Sequence, residues 1–321
     1  MEQAQPKTGP LVKVAITTLI KFSDKFAGIE VHVAVGGKYV KLNYPTDTFI
    51  EILRKLQQKE VEEVYIYQSD CKILVDTAQK AMSAQTFYDP ATVNEQRVES
   101  MSASFEVVKS VIGQLGVEVE TLKLIKTINT RAMSVMSESP SIFAFIKNFK
   151  KNCTEEFLLA VLTNYVMALV IDKFPWKSDQ VKEKGALASY MCDMMLNSED
   201  FSTLRKWEVE GGELPEKIKK HPSETAENLK KTRNLVPSET ITIIEQHHEL
   251  PSGKGFPFGI TGSRFNQLST IFIISQQFTH LLHKHQYDYE KRFDIIVQLK
   301  DIYGESKTFE KTLDALMQVV D

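Results

Sequence analysis

The sequence predicts an α+β chain, with a small α/β unit over residues 1–85, a helical linker over 86–134 and an all-α domain over 135–321. Three observations carry this division. Runs that alternate apolar with polar residues occur before residue 70 and not after it. The pair Gly36-Gly37 separates two of these runs, and its tolerance of positive φ suits a two-residue hairpin turn. From about residue 135 the apolar positions recur at helical spacing.

Taken in order, residues 31–35 and 38–42 read as the strands of that hairpin. Thr46 or Asp47 is placed to cap a helix through Phe49, Ile50, Leu53 and Leu56, residues 61–67 return as a β-rich strand, and Asp70 can start a further helix. Val98, Met101, Phe105, Val108 and Ile112 give the linker one apolar face, which is also a candidate dimer contact. Helices are then expected over 142–149, 155–174, 178–196, 223–231, 238–248, 264–285 and 289–303, with the mostly apolar 155–174 at the centre of the core.

Composition narrows the function. At 321 residues and 42% hydrophobic the chain can bury two cores. A net charge of -3 offers no polyelectrolyte attraction for DNA or for anionic lipid. The start Met-Glu-Gln-Ala-Gln-Pro-Lys has no basic-then-apolar pattern, and the windows 157–171 and 268–274 are too short or too polar to span a bilayer, so cytoplasmic residence is expected. Cys71, Cys153 and Cys192, odd in number and far apart, read as reduced thiols. His32, alone on a strand, is assigned a structural or surface role, and the N-terminal unit shows no nucleophile, metal cluster or phosphate-cradling glycine loop.

The residues with chemical promise lie in the helical domain, in His247-His248-Glu249-Leu250-Pro251-Ser252-Gly253-Lys254-Gly255-Phe256-Pro257. Adjacent imidazoles on a helix point about 100° apart, so they share a cavity when the helix end bends them together; a surface pair is the alternative. The glycines permit close backbone approach and Pro257 fixes the exit. The segment resembles the HD-GYP signature, departing from it at Ser252, where that family has aspartate, and at Phe256, where it has tyrosine. Upstream, His221-Pro222-Ser223-Glu224 resembles the family's His-Pro-Glu and is expected to open a capped helix. Cys192-Asp193 falls on the His-Asp pair, keeping the aspartate and replacing the histidine, and the following glycine and lysine are Met195 and Leu196.

The resemblance implies a metal-dependent phosphodiesterase of cyclic-di-GMP, whose two metal ions generate a hydroxide and offset charge on the phosphate. It also implies which half of the site is lost. One metal's private ligands map to Leu162 or its neighbours Thr163 and Asn164, to Cys192 and to Gln276. The other's map to His221, His247 and His248, with Asp193 retained. One divalent transition metal (iron, manganese or zinc) and no organic cofactor is therefore expected, held by Asp193, His221, His247 and His248. Cys192 is a further candidate ligand, with simple packing as its alternative. Gly253, Lys254, Gly255, Phe256, Pro257 and Gln276 are the candidate nucleotide contacts, Phe256 by stacking or else by loop packing. Lys254, Arg264 and Lys284 are nearby cations, and His280, His283 and His285 are read as an exposed helix end.

With the bridged metal pair gone, efficient turnover is not expected. The leading reading is a cyclic-di-GMP receptor or interaction module with protein partners on the N-terminal unit. Its competitors are an active phosphodiesterase completed by Cys192 and Gln276, and a nucleotide-independent scaffold.

Overall fold

The computed structural model describes residues 9–22, 29–43, 48–84, 90–139, 142–232 and 234–320. It divides into two compact units, Met1–Ala132 and Met133–Asp321. The expected caps Thr46 and Asp47 lie outside the described residues.

In the first unit β1 (Leu11–Ala15), β2 (Val31–Val35), β3 (Lys38–Lys41) and β4 (Glu63–Tyr67) form one antiparallel sheet in the order β1-β4-β2-β3. The register sets Val12 opposite Ile66 and Val14 opposite Val64, so these buried side chains share one face. The hairpin forms as expected, with Gly36 and Gly37 at φ 55 and 78. His32 is buried with its ring edge-on to Tyr67, which makes it structural. Helices α1 (Ile16–Phe22), α2 (Phe49–Gln57) and α3 (Cys71–Ala84) come after β1, β3 and β4 in the chain. The expected linker is two helices, α4 (Pro90–Leu115) and α5 (Val119–Glu138), and α4 packs on β1, α1 and α3.

The second unit is all helical: α6 (Ile142–Asn152), α7 (Glu155–Ile171), α8 (Asp179–Met191), α9 (Ser198–Glu210), α10 (Glu216–Lys230), α11 (Ser238–Gln246), α12 (Gln267–Lys284), α13 (Arg292–Tyr303) and α14 (Lys307–Val320). α7 is the central helix, packed on α6, α8, α12 and α14. Thr154 caps it by accepting from Phe157 N, and Glu155 and Glu156 favour the positive end of its dipole. Three elements depart from the sequence expectation. α9 and α14 were not expected, and α10 begins at Glu216 rather than after Pro222, because Pro215 sets the N-cap φ to -54 and places Pro222 inside the helix. Among the described residues, no helix is long and apolar enough to cross a membrane.

Candidate metal centre

Three helices deliver one cluster. Asp193 follows Cys192, the C-cap of α8, in the turn that ends that helix. His221 comes from α10, and His247 and His248 from the C-terminal end of α11. One ligand atom from each of these four side chains lies within 4.8 Å of the others, and the three histidines are buried.

The imidazoles are oriented by backbone carbonyls that helix geometry leaves free. Pro222 has no N–H to give to the carbonyl of Ile218, four residues earlier. That carbonyl accepts instead from His221 Nδ1 at 2.7 Å. Ile244 lies in the last turn of α11, whose carbonyls lack helical partners, and it accepts from His247 Nδ1 at 2.6 Å. With the protons on Nδ1, both Nε2 atoms present lone pairs. These stand 3.2 Å apart, and 3.1 Å (His221) and 3.5 Å (His247) from Asp193 Oδ1. Two lone pairs at that distance repel unless a proton or cation lies between them. Tetrahedral zinc, with bonds of about 2.0–2.1 Å to nitrogen, separates neighbouring ligands by about 3.4 Å. His248 Nε2 is buried with no hydrogen-bond partner among the described residues, and so remains available as a donor to a metal. The donor set fits a divalent transition metal.

Electrostatics agree with that fit. Burial pushes the His247 imidazole below the usual histidine range, against the raising effect of Asp193. Burial, then the charges of His247 and His221, hold His248 well below it. Burial alone would raise Asp193, but the neighbouring His221 and His247 hold it well below the usual carboxylate range. Neutral His247 and His248 beside an ionised Asp193 are the protonation states that metal binding requires.

The loop after His248 is built against the cluster. Phe256 N donates to the carbonyl of His248 at 3.1 Å, and the Phe256 ring stacks on His248 with centroids 4.6 Å apart. Phe256 is buried among Leu159, Leu196, Phe201, Leu204, Leu214 and Ile218, so the ring packs the loop. A Cβ at Gly255 would meet Leu250 N at 2.3 Å, which explains the glycine. Glu249, fully buried, accepts from Phe258 N (2.6 Å), Gly259 N (3.1 Å) and Ile260 N (3.0 Å). Lys254 is exposed, Gly253 and Pro257 are half-buried, and Arg264 and Lys284 are exposed.

No family model and no curated protein matches the chain. A solved structure does: that of Bd1817, a HDG"Y"P protein from Bdellovibrio bacteriovorus, aligns over 97% of this chain and 99% of its own with a TM-score of 0.57, at 15% sequence identity. The chain has an HD-GYP-like fold.

On this HD-GYP-like scaffold the positions expected to have lost metal ligands are filled by uncharged contacts. Leu162 is buried, Thr163 Oγ1 lies 2.9 Å from Thr279 Oγ1, and Asn164 Nδ2 donates to Met133 Sδ at 3.6 Å. Cys192 Sγ faces the carbonyl of Ser189 and Gln276 Nε2, each at 4.0 Å. Burial pushes its thiol well above the ordinary value, so it is protonated and is not among the four clustered ligand atoms.

Sequence reasoning missed Arg205 and Glu208 on α9. Arg205 Nη1 donates to Glu208 Oε2 at 2.6 Å and lies against the ring of His280, 2.7 Å from Nε2. Glu208 Oε2 accepts from His280 Nδ1 at 3.2 Å, and Glu208 Oε1 is 4.0 Å from His248 Nδ1. This corrects the reading of His280 as an exposed helix end: its side chain is almost entirely buried because α12 turns it onto α9. His283, beside Glu155, and His285 are half-buried. The available signal was the i,i+3 spacing of Arg205 and Glu208 behind a capping Asn197.

Proposed function

We propose that the helical unit binds one divalent transition metal through Asp193, His221, His247 and His248, and serves as a cytoplasmic receptor for cyclic-di-GMP with little or no turnover. The observation that carries the metal is the facing pair of Nε2 lone pairs at 3.2 Å beside Asp193 Oδ1, each fixed by a carbonyl behind it. The HD-GYP-like fold supports the nucleotide, and the neutral fillings at Leu162, Cys192 and Gln276 support a single metal. A bound divalent ion would supply positive charge beside an incoming phosphate. Arranged around it, the chain's own residues orient the imidazoles and pack the loop that carries Gly253, Lys254, Gly255 and Pro257. The sheet unit is the proposed contact for protein partners or for a second copy.

The test is calorimetric titration of metal-loaded protein with cyclic-di-GMP, followed by analysis of the recovered nucleotide. Saturable binding with the nucleotide intact supports the receptor. Recovery of linear product would replace it with an active phosphodiesterase, and no heat at high micromolar nucleotide with a scaffold.

A further inference from the structure

The Arg205 guanidinium pairs with Glu208, which lies 4.0 Å from His248 of the cluster. Arg205 has five N–H donors, and Nη1 alone serves Glu208 and His280. Nε and Nη2 are buried and find no hydrogen-bond partner among the described residues. Burying unanswered donors of a charged group costs about 1–3 kcal/mol or more each. The guanidinium is held rigidly enough to present them: Glu208 grips one end and the Phe201 ring lies 5.2 Å from its Cζ. Glu208, its ion-pair partner, comes within 4.0 Å of His248 Nδ1, which links the guanidinium to the cluster.

Exposure differs among the residues of the cluster and its neighbours. The side chains of His221, His247 and His248 are 1%, 0% and 2% exposed, whereas those of Arg205, Glu208 and Asp193 are 10%, 12% and 13% exposed. The histidines are the most enclosed of the six and Arg205, Glu208 and Asp193 the least, although Arg205 Nε and Nη2 are themselves buried. Charge indicates what belongs there. Glu208 is neutralised by Arg205, and Asp193 offsets half the charge of a divalent ion, so the loaded cluster keeps one positive charge among the groups in direct contact. Glu208 Oε1, which has no hydrogen-bond partner among the described residues, would repel a second negative charge.

We propose that Arg205 is an oxyanion-binding residue of this site, its Nε–Nη2 fork holding a singly charged, two-oxygen group of the phosphodiester class next to the metal ligands. The proposal rests on the receptor reading for the identity of the natural ligand, but not for the site itself. A diester carries one negative charge and two free oxygens, matching both the residual charge and the planar fork. A monoester dianion would meet Glu208.

The test compares wild type, Arg205→Met and Arg205→Lys, each loaded with metal and with its metal content measured. Calorimetry with cyclic-di-GMP should show about a 30-fold loss of affinity for Arg205→Met and a smaller loss for Arg205→Lys, which keeps the charge without the fork. Dimethyl phosphate should raise the melting temperature of wild type and not of Arg205→Met. If cyclic-di-GMP fails to bind wild type while dimethyl phosphate still discriminates the variants, the receptor reading falls and the oxyanion site stands. Equal nucleotide affinity in all three proteins keeps the receptor and overturns the role of Arg205. Failure of both probes on wild type also overturns it. Should Arg205→Met not fold, wild-type affinity in Arg205→Lys is the result that overturns the fork.

Discussion

Pro222→Ala separates the orientation of His221 from the stability of the helix that carries it. The substitution restores an N–H at position 222, which the carbonyl of Ile218 would accept as its ordinary helical donor. His221 Nδ1, now 2.7 Å from that carbonyl, would have to share it. Loss of such an orienting bond lowers metal affinity by about 10–100-fold. Stability should barely move. Replacing proline by alanine in a helix interior gains about 3 kcal/mol, from which about 0.7 is lost to the freer unfolded chain and about 1.6 to two buried methylenes. The net is within about 1 kcal/mol of zero, on the favourable side. Chelator competition gives the metal affinity, and urea unfolding of metal-free protein gives the stability. Metal affinity within twofold of wild type would refute the account, since it would mean that the carbonyl serves both donors equally well.

Other perturbations address separate parts of the structure. Gly255→Ala should cost about 1–3 kcal/mol in urea unfolding, because its Cβ would press on the backbone of Leu250 and Glu249; an unchanged midpoint would contradict the close approach. Glu249→Gln leaves one of three buried backbone N–H groups facing an amide donor, with an expected loss of about 1–3 kcal/mol. For pH, His247, His248, His280 and His283 are lowered by burial and so bind protons more weakly folded than unfolded. Stability of metal-free protein therefore falls as pH drops below about 6.5. Glu249, raised by burial, opposes them. Unfolding midpoints that stay flat between pH 6.5 and 5 would show that the imidazoles are not buried neutral.

The clustered Asp193, His221, His247 and His248 were legible through the resemblance to the HD-GYP signature, carried by the proline after His221 and the glycine loop after His248. The hairpin and the apolar α7 were equally plain. Helix α9 was not, since its buried face mixes Phe201 and Leu204 with Arg205 and Glu208, and a pattern that counts apolar residues passes over buried charge. Helix α14 is a different failure: Phe309, Leu313, Leu316 and Val320 are at helical spacing and buried, so the signal was present. His280 was assigned to the surface because it lies near the end of α12, and sequence position does not reveal that Glu208 and Arg205 meet it there. Nor did the motif reveal that Glu249 is a buried anchor for the loop.

The most direct test of the central claim is the number of transition-metal ions per chain, measured by mass spectrometry after reconstitution and desalting, for wild type, Asp193→Ala and His221→Ala. One ion per wild-type chain, lost from both variants, is the predicted result. An empty wild type, two ions per chain, or metal retained in both variants would contradict the assignment.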